Sequence, residues 1–117
     1  MKGIRFIDDS YNANPSSVRA GIDVVTGLGG QAWLVLGDMG ELGAQAESSH
    51  VEIGAYARDK GIGRLFATGP LSRLAVEAFG AGALWFPDVA TMSAAVDAAL
   101  DPGICVLVKG SRSNRLE

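Results

Sequence analysis

Short apolar runs alternate along the chain with stretches whose apolar residues recur every three or four positions. The runs are Gly3 to Asp8, Ala32 to Gly37, Arg64 to Thr68, Ala83 to Pro87 and Ile104 to Lys109. Each is rich in Val, Ile, Leu, Phe or Trp and bounded by Gly, Asp or Pro, the signature of a short strand. Four amphipathic stretches lie between them. The first has Asn14 as N-cap, Pro15 at the first helical position and Val18, Ile22 and Val25 as its stripe; Gly27, Gly29 and Gly30 stop it. The second is expected to begin near Ser49, because Ser49 and Glu52 have capping-box spacing, and to stop at Gly61. The third carries Leu71, Leu74, Ala75, Ala78 and Phe79 before Gly80. The fourth starts at Asp88 as N-cap and runs through Val89, Met92, Val96 and Ala99. Ser111 to Glu117 reads as the start of a fifth helix that the chain cuts short.

Strands of nearly continuous apolar character, joined by helices, imply a parallel sheet covered on both faces. The expected fold is a three-layer, doubly wound α/β domain with a mostly parallel sheet. Its 117 residues suit one domain, and no repeat, low-complexity segment or long linker divides them. Trp33, Trp85, Phe66 and Phe86 fall within strands and are expected in the core. In such folds ligands bind beyond the carboxyl ends of the strands.

Composition changes this picture little. Hydrophobic residues make up 48% and charged residues 20%, with a net charge of -3, so a basic surface for nucleic acid is not expected. Cys105 is the single cysteine, which excludes an intrachain disulfide, and its apolar run marks it as a buried structural thiol. No apolar run approaches the roughly 18 residues of a membrane span, and no signal peptide is visible. A cytoplasmic setting is the expectation.

Polar residues gather where strands end. The first strand leads into Asp8-Asp9-Ser10-Tyr11-Asn12-Ala13-Asn14-Pro15, a loop feeding a helix N-terminus, where free N–H groups favour anions. It has no glycine, so side chains must make the contacts. A capped helix start accounts for Asn14 and Pro15, but not for Asp8, Asp9, Tyr11 and Asn12. The second strand leads into Gly37-Asp38-Met39-Gly40-Glu41-Leu42-Gly43, whose glycines let the backbone bend and present Asp38 and Glu41 near the strand mouth. Solvated loop acids are the alternative there. His50, the sole histidine, is expected in the first turn of the second helix as a mostly neutral ring. No cluster suggests a zinc site, and no metal ligands are expected. The last strand leads into Lys109-Gly110-Ser111-Arg112, with Arg115 following and no acid between Asp101 and Glu117. This local cationic patch suits a carboxylate or phosphate.

Three segments together, DDSYNANP (8–15), GDMGELG (37–43) followed by His50, and VLVKGSR (106–112), resemble the C-terminal domain of the Mur ligase family. The likeness is to the branch that adds D-alanyl-D-alanine to UDP-N-acetylmuramoyl-tripeptide (UDP-MurNAc-tripeptide) in peptidoglycan precursor synthesis. It spans essentially the whole chain, with Asn114 and Leu116 departing from the usual residues. It implies a Rossmann-like third domain of an ATP-dependent ligase, working through an acyl phosphate. The domain that binds the UDP-sugar and the central ATPase domain would lie outside this chain, which has no Walker motif. ATP and Mg2+ would be bound mainly by that ATPase domain, and residues 1–117 alone would be inactive. By resemblance, Asp9 would hold the ATP ribose, with Tyr11, Asn12 and Asn14 near the phosphates. Lys109, Ser111 and Arg112 would meet the carboxylate of D-Ala-D-Ala, and Asp38 or Glu41 its ammonium. His50 would relay the proton lost from that ammonium. Two other readings compete. A receiver-type signalling domain also places acids after the first strand and a lysine after the fifth, as Asp8, Asp9 and Lys109 do. Gly110 and Thr68-Gly69-Pro70 do not fit its pattern. A folate-polyglutamate-type ligase domain has a different loop signature from SYNAN.

Overall fold

The computed structural model describes the backbone of residues 5–8, and residues 15–28, 30–39 and 43–109 in full. Chain order is β1 (Arg5–Asp8), α1 (Pro15–Thr26), β2 (Gln31–Leu36), α2 (Ala46–Lys60), β3 (Arg64–Thr68), α3 (Ser72–Phe79), β4 (Ala83–Phe86), α4 (Val89–Ala99) and β5 (Ile104–Lys109). A single 3-10 turn, Gly43–Gln45, leads into α2. The strands form one sheet in the order β1-β5-β2-β3-β4, and every pairing is parallel.

That order dictates the layers. The first three crossovers all move toward the β4 edge, while the step from β4 to β5 runs back across the sheet. Crossovers between parallel strands are right-handed, so reversing direction puts the connecting helix on the other face. Accordingly α1, α2 and α3 cover one face and α4 the other. The alternation of strand side chains feeds both cores. Leu34 and Leu36, Leu65 and Ala67, and Cys105 and Leu107 pack under α1 to α3 against Ile22, Ile53 and Phe79. Trp33, Val35, Phe66, Val106 and Val108 face Met92 and Val96 of α4. Fully burying one such side chain contributes about 1.5–3 kcal/mol. Helices α2 and α3 approach closely because residue 54 is glycine: a Cβ there would overlap the Ala75 carbonyl.

Three expectations change. Helix α2 begins at Ala46, upstream of Ser49, and Gln45 at its N-cap makes no side-chain cap bond. Ser49 is buried within the helix and Glu52 pairs with Arg19 of α1 at 2.9 Å, so no capping box forms. Ser49 instead stands at the head of the buried stripe of His50, Ile53 and Ala57, within the helix. Second, Trp33 and Phe66 are core residues as expected, but Trp85 and Phe86 are half-buried, because β4 is an edge strand. The Trp85 indole N–H donates to the Gly69 carbonyl at 2.8 Å, and the Arg73 guanidinium lies over its ring at 4.2 Å. Third, His50 lies one turn into α2. Cys105 is buried and takes part in no disulfide. The outer faces of α1 and α2 are cross-braced: Tyr56 donates to Asp23 at 2.6 Å, which holds the phenol above its usual pKa, and Lys60 pairs with the same carboxylate. Among the described residues no helix is long and apolar enough to cross a membrane.

Candidate functional site at the carboxyl edge of the sheet

Strands β1, β5 and β2 are neighbours, and register aligns their carboxyl ends: Asp8 pairs with Val108, and Leu36 with Lys109. The three polar segments therefore depart from adjacent strands at one edge of the sheet. Asp9, Tyr11, Asn12 and Asn14 after β1, Glu41 after β2, and Ser111 and Arg112 after β5 lie outside the described residues. Asp38, His50 and Lys109 lie within them.

Asp38 follows the last residues of β2. Its two carboxylate oxygens accept the backbone N–H groups of Leu71 at 3.1 Å and Ser72 at 2.8 Å. Those are orphan donors at the start of α3, where a negative charge also meets the positive end of the helix dipole. Leu71, the N-cap of α3, makes no side-chain cap bond of its own. Asp38 thus serves as a cap supplied from another loop. Gly69, at φ +102°, lets the chain pass beneath this carboxylate, since a Cβ there would overlap it. Each carboxylate oxygen of Asp38 thus accepts one N–H from the start of α3.

His50 is fully buried. Its Nε2 accepts the Met39 N–H at 3.0 Å, and its Nδ1 lies 2.7 Å from the Ala46 carbonyl. The pattern assigns the proton to Nδ1, which donates to Ala46, so the ring is the expected neutral tautomer. Both ring nitrogens are thus hydrogen-bonded within the chain. Its role in this geometry is to hold the Met39 backbone.

Lys109 is 1% exposed. Its side chain runs on the α1 face, where a Cβ on Gly21 would stand 3.2 Å from the lysine Cε. Glycine at that position leaves room for the lysine stem. The lysine that the resemblance sets against a ligand carboxylate is thus buried at the strand end. Among the described residues no group of three or more His, Cys, Asp or Glu side chains stands ready to hold a metal ion.

Sequence reasoning missed Met39, Gly69 and the N–H groups of Leu71 and Ser72. One signal was available. Thr68-Gly69-Pro70-Leu71 opens a helix with no Ser, Thr, Asp or Asn at its N-cap, so the cap had to come from elsewhere.

A family profile described as Mur ligase, glutamate ligase domain, matches residues 1–112. The chain belongs to the Mur ligase family. It is 39% identical over 112 residues to the UDP-N-acetylmuramoyl-tripeptide–D-alanyl-D-alanine ligase of Escherichia coli (strain K12), covering 95% of this chain and 25% of that protein. It is 35% identical over 126 residues to the ligase of the same name from Bacillus subtilis (strain 168), covering 98% of this chain and 27% of that one. Crystal structure II of MurF from Acinetobacter baumannii superposes with a TM-score of 0.86 at 28% identity, over 99% of this chain and 27% of that one. The MurF ligase of Thermotoga maritima, solved in complex with ADP, has the same fold at a TM-score of 0.85 and 24% identity, over 98% of this chain and 26% of that one. This Mur ligase chain thus spans about a quarter of the length of the curated relatives it matches. The strand order also counts against a receiver domain, whose sheet runs 2-1-3-4-5.

Proposed function

We propose that this chain is the C-terminal domain of an ATP-dependent amide ligase that joins D-alanyl-D-alanine to UDP-MurNAc-tripeptide. The 39% identity to the E. coli ligase across 95% of the chain is the observation that carries this reading. In the reaction, the terminal carboxylate of the tripeptide takes the γ-phosphoryl group of ATP, and ADP is released. The dipeptide ammonium first loses a proton to solvent; the free amine attacks the acyl carbon, phosphate leaves, and the new amide nitrogen gives up a second proton. Such chemistry is mainly positioning and charge stabilisation, which suits a domain that contributes one wall of a site. Asp9, Tyr11, Asn12 and Asn14 form the nucleotide side of that wall. Ser111 and Arg112 meet the dipeptide carboxylate, with buried Lys109 adding positive charge beneath them. Glu41 or Asp38 takes the ammonium, Asp38 with the acceptor capacity left after it caps α3. Mg2+ accompanies ATP through ligands on the rest of the enzyme.

The test uses the full-length protein with UDP-MurNAc-tripeptide, ATP and D-Ala-D-Ala, following amide product and phosphate. Stoichiometric formation of both is expected, and absence of the amide product sinks the reading. Asp9→Ala should raise the KM for ATP about tenfold. An unchanged value removes Asp9 from the nucleotide site.

A further inference from the structure

Strand β4 is an edge of the sheet, and nothing within it discourages a further strand. Its residues Ala83-Leu84-Trp85-Phe86 carry no charge, and Leu84 is 48% exposed. Native edge strands are commonly blunted by charged side chains, proline or cover. The pairing with β3 fixes which backbone groups are left open. The Leu65 N–H donates to the Gly82 carbonyl at 3.1 Å, with Leu65 opposite Ala83 and Phe66 opposite Leu84. In a parallel ladder this turns the N–H and C=O of Leu84 toward β3, and those of Ala83 and Trp85 outward. The Ala83 N–H is taken by the Gly80 carbonyl at 3.2 Å. The Trp85 N–H and the Ala83 carbonyl remain, a donor and an acceptor two residues apart. Helix α3 packs on both β3 and β4, and its flank at this edge carries Arg73 and, one turn on, Glu77, both exposed. The Arg73 guanidinium rests on the Trp85 ring, and neither Arg73 nor Glu77 forms an ion pair among the described residues.

We propose that β4 pairs antiparallel with β4 of a second copy of this chain, about a two-fold axis at Leu84, joining two sheets into one. Such an interface uses the same patch twice, so the patch must complement itself. It does so in three ways. Each Trp85 N–H donates to the partner's Ala83 carbonyl. Leu84 meets its own counterpart on the α4 face, while bulky Trp85 meets the partner's small Ala83 on the α3 face. The charges match as well. Arg73 lies level with Trp85, one residue to the carboxyl side of the axis. Glu77 stands about 6 Å further along α3, which runs antiparallel to β4, and so falls on the other side of the axis. The two-fold therefore sets each Arg73 opposite the partner's Glu77. The two α3 helices lie two strands apart, about 10 Å, an ordinary packing distance. An axis at Trp85 is disfavoured, because Ala83 would stand against Pro87, which has no N–H to give. The carboxyl edges of the two sheets point in opposite directions, so the pairing covers neither candidate site. It does not rest on the ligase reading.

Sedimentation velocity on the full-length protein tests this. Wild type should shift from monomer to dimer as its concentration rises to about 100 µM. Leu84→Lys sets like charges against each other at the axis and should abolish the shift. Leu84 is half exposed in the single copy, so the fold should survive the change, which circular dichroism checks. Arg73→Glu faces acid against acid and should weaken the dimer about tenfold. Adding Glu77→Arg to it exchanges both charges and should restore the wild-type affinity. Wild type that stays monomeric throughout overturns the proposal. A dimer that withstands Leu84→Lys, or one that the exchanged pair fails to restore, places the contact elsewhere and overturns it as well.

Discussion

Helices α3 and α4 both start on an aspartate, and the two aspartates do different things. Asp88 immediately precedes α4 in extended conformation, and its carboxylate accepts the Thr91 N–H at 2.7 Å. The cap is local and exposed, and it concerns one helix. Helix α3 has Leu71 at its N-cap, whose φ of -77° and ψ of -33° are already helical and which makes no side-chain cap bond of its own. Its cap is Asp38, 33 residues upstream on a different loop. A local cap stabilises its helix and nothing else. The remote cap joins the start of α3 to the exit of β2, so neither can shift alone. The second arrangement stands at the carboxyl edge, where the proposed ligand site lies. The first does not need to report to anything.

Removing the remote cap should have the largest effect. Asp38→Ala leaves two N–H groups at the start of α3 without an acceptor, in a half-buried setting. Hydrogen bonds to charged groups are each worth about 1.5–3 kcal/mol, and lost caps typically cost about 1 kcal/mol. Denaturant unfolding should therefore show a loss of roughly 2–3 kcal/mol. Amide exchange at Leu71 and Ser72 should accelerate, while exchange in α4 changes only with global stability. A local substitute should not repair it. With Leu71 in helical conformation, Leu71→Asp in the Asp38→Ala background cannot adopt the extended geometry of a side-chain cap, and recovery beyond about 0.5 kcal/mol would contradict this account.

The same contrast explains what the sequence made legible. Among the described residues the five strands and four helices were readable from apolar period, the fifth helix expected at Ser111 to Glu117 lies outside them, and the parallel sheet followed from the character of the strands. Asp88 was readable because its partner, Thr91, lies three residues away. Asp38 and His50 were recognisable as unusual, but their partners were not. Leu71, Ser72 and Met39 contribute backbone N–H groups, which carry no sequence signature. Nor could any local pattern show that α2 starts at Ala46. The Ser49–Glu52 spacing is a good capping signal, but Ser49 is buried inside the helix and Glu52 pairs with Arg19. Lys109 was legible as part of a cationic strand end, but its burial was not. Its burial depends on Gly21, 88 residues away, being too small to displace it.

Gly69 offers a smaller and more diagnostic perturbation. Gly69→Ala places an L side chain at φ +102° and drives its methyl into the Asp38 carboxylate. The backbone contribution alone is about 1–2 kcal/mol, and the overlap adds to it. In the Asp38→Ala background the overlap is gone and only the backbone contribution remains. The double-mutant cycle should accordingly show coupling of about 0.5–1 kcal/mol, Gly69→Ala costing less when Asp38 is absent. Strict additivity would mean that the carboxylate does not sit over this turn.

The smallest effect is expected at the local cap, and its dependence on pH has a definite sign. The Thr91 backbone N–H, aided by its side chain, holds the Asp88 carboxyl below the usual carboxylate pKa. A folded-state pKa below the unfolded one means that the unfolded chain binds the proton more readily. The contribution of Asp88 is therefore complete above the unfolded value of about 3.9 and disappears as pH falls through the depressed folded value. Asp88→Asn should consequently be slightly less stable than wild type at neutral pH, and the difference should shrink at strongly acid pH, where wild type has lost its charge. Because Asp88 is exposed, salt should reduce the effect at neutral pH. Asp38→Ala should respond less to salt, because most of its loss comes from N–H groups left without an acceptor. If added salt closed both gaps equally, the distinction between an exposed local cap and a remote tether would fail.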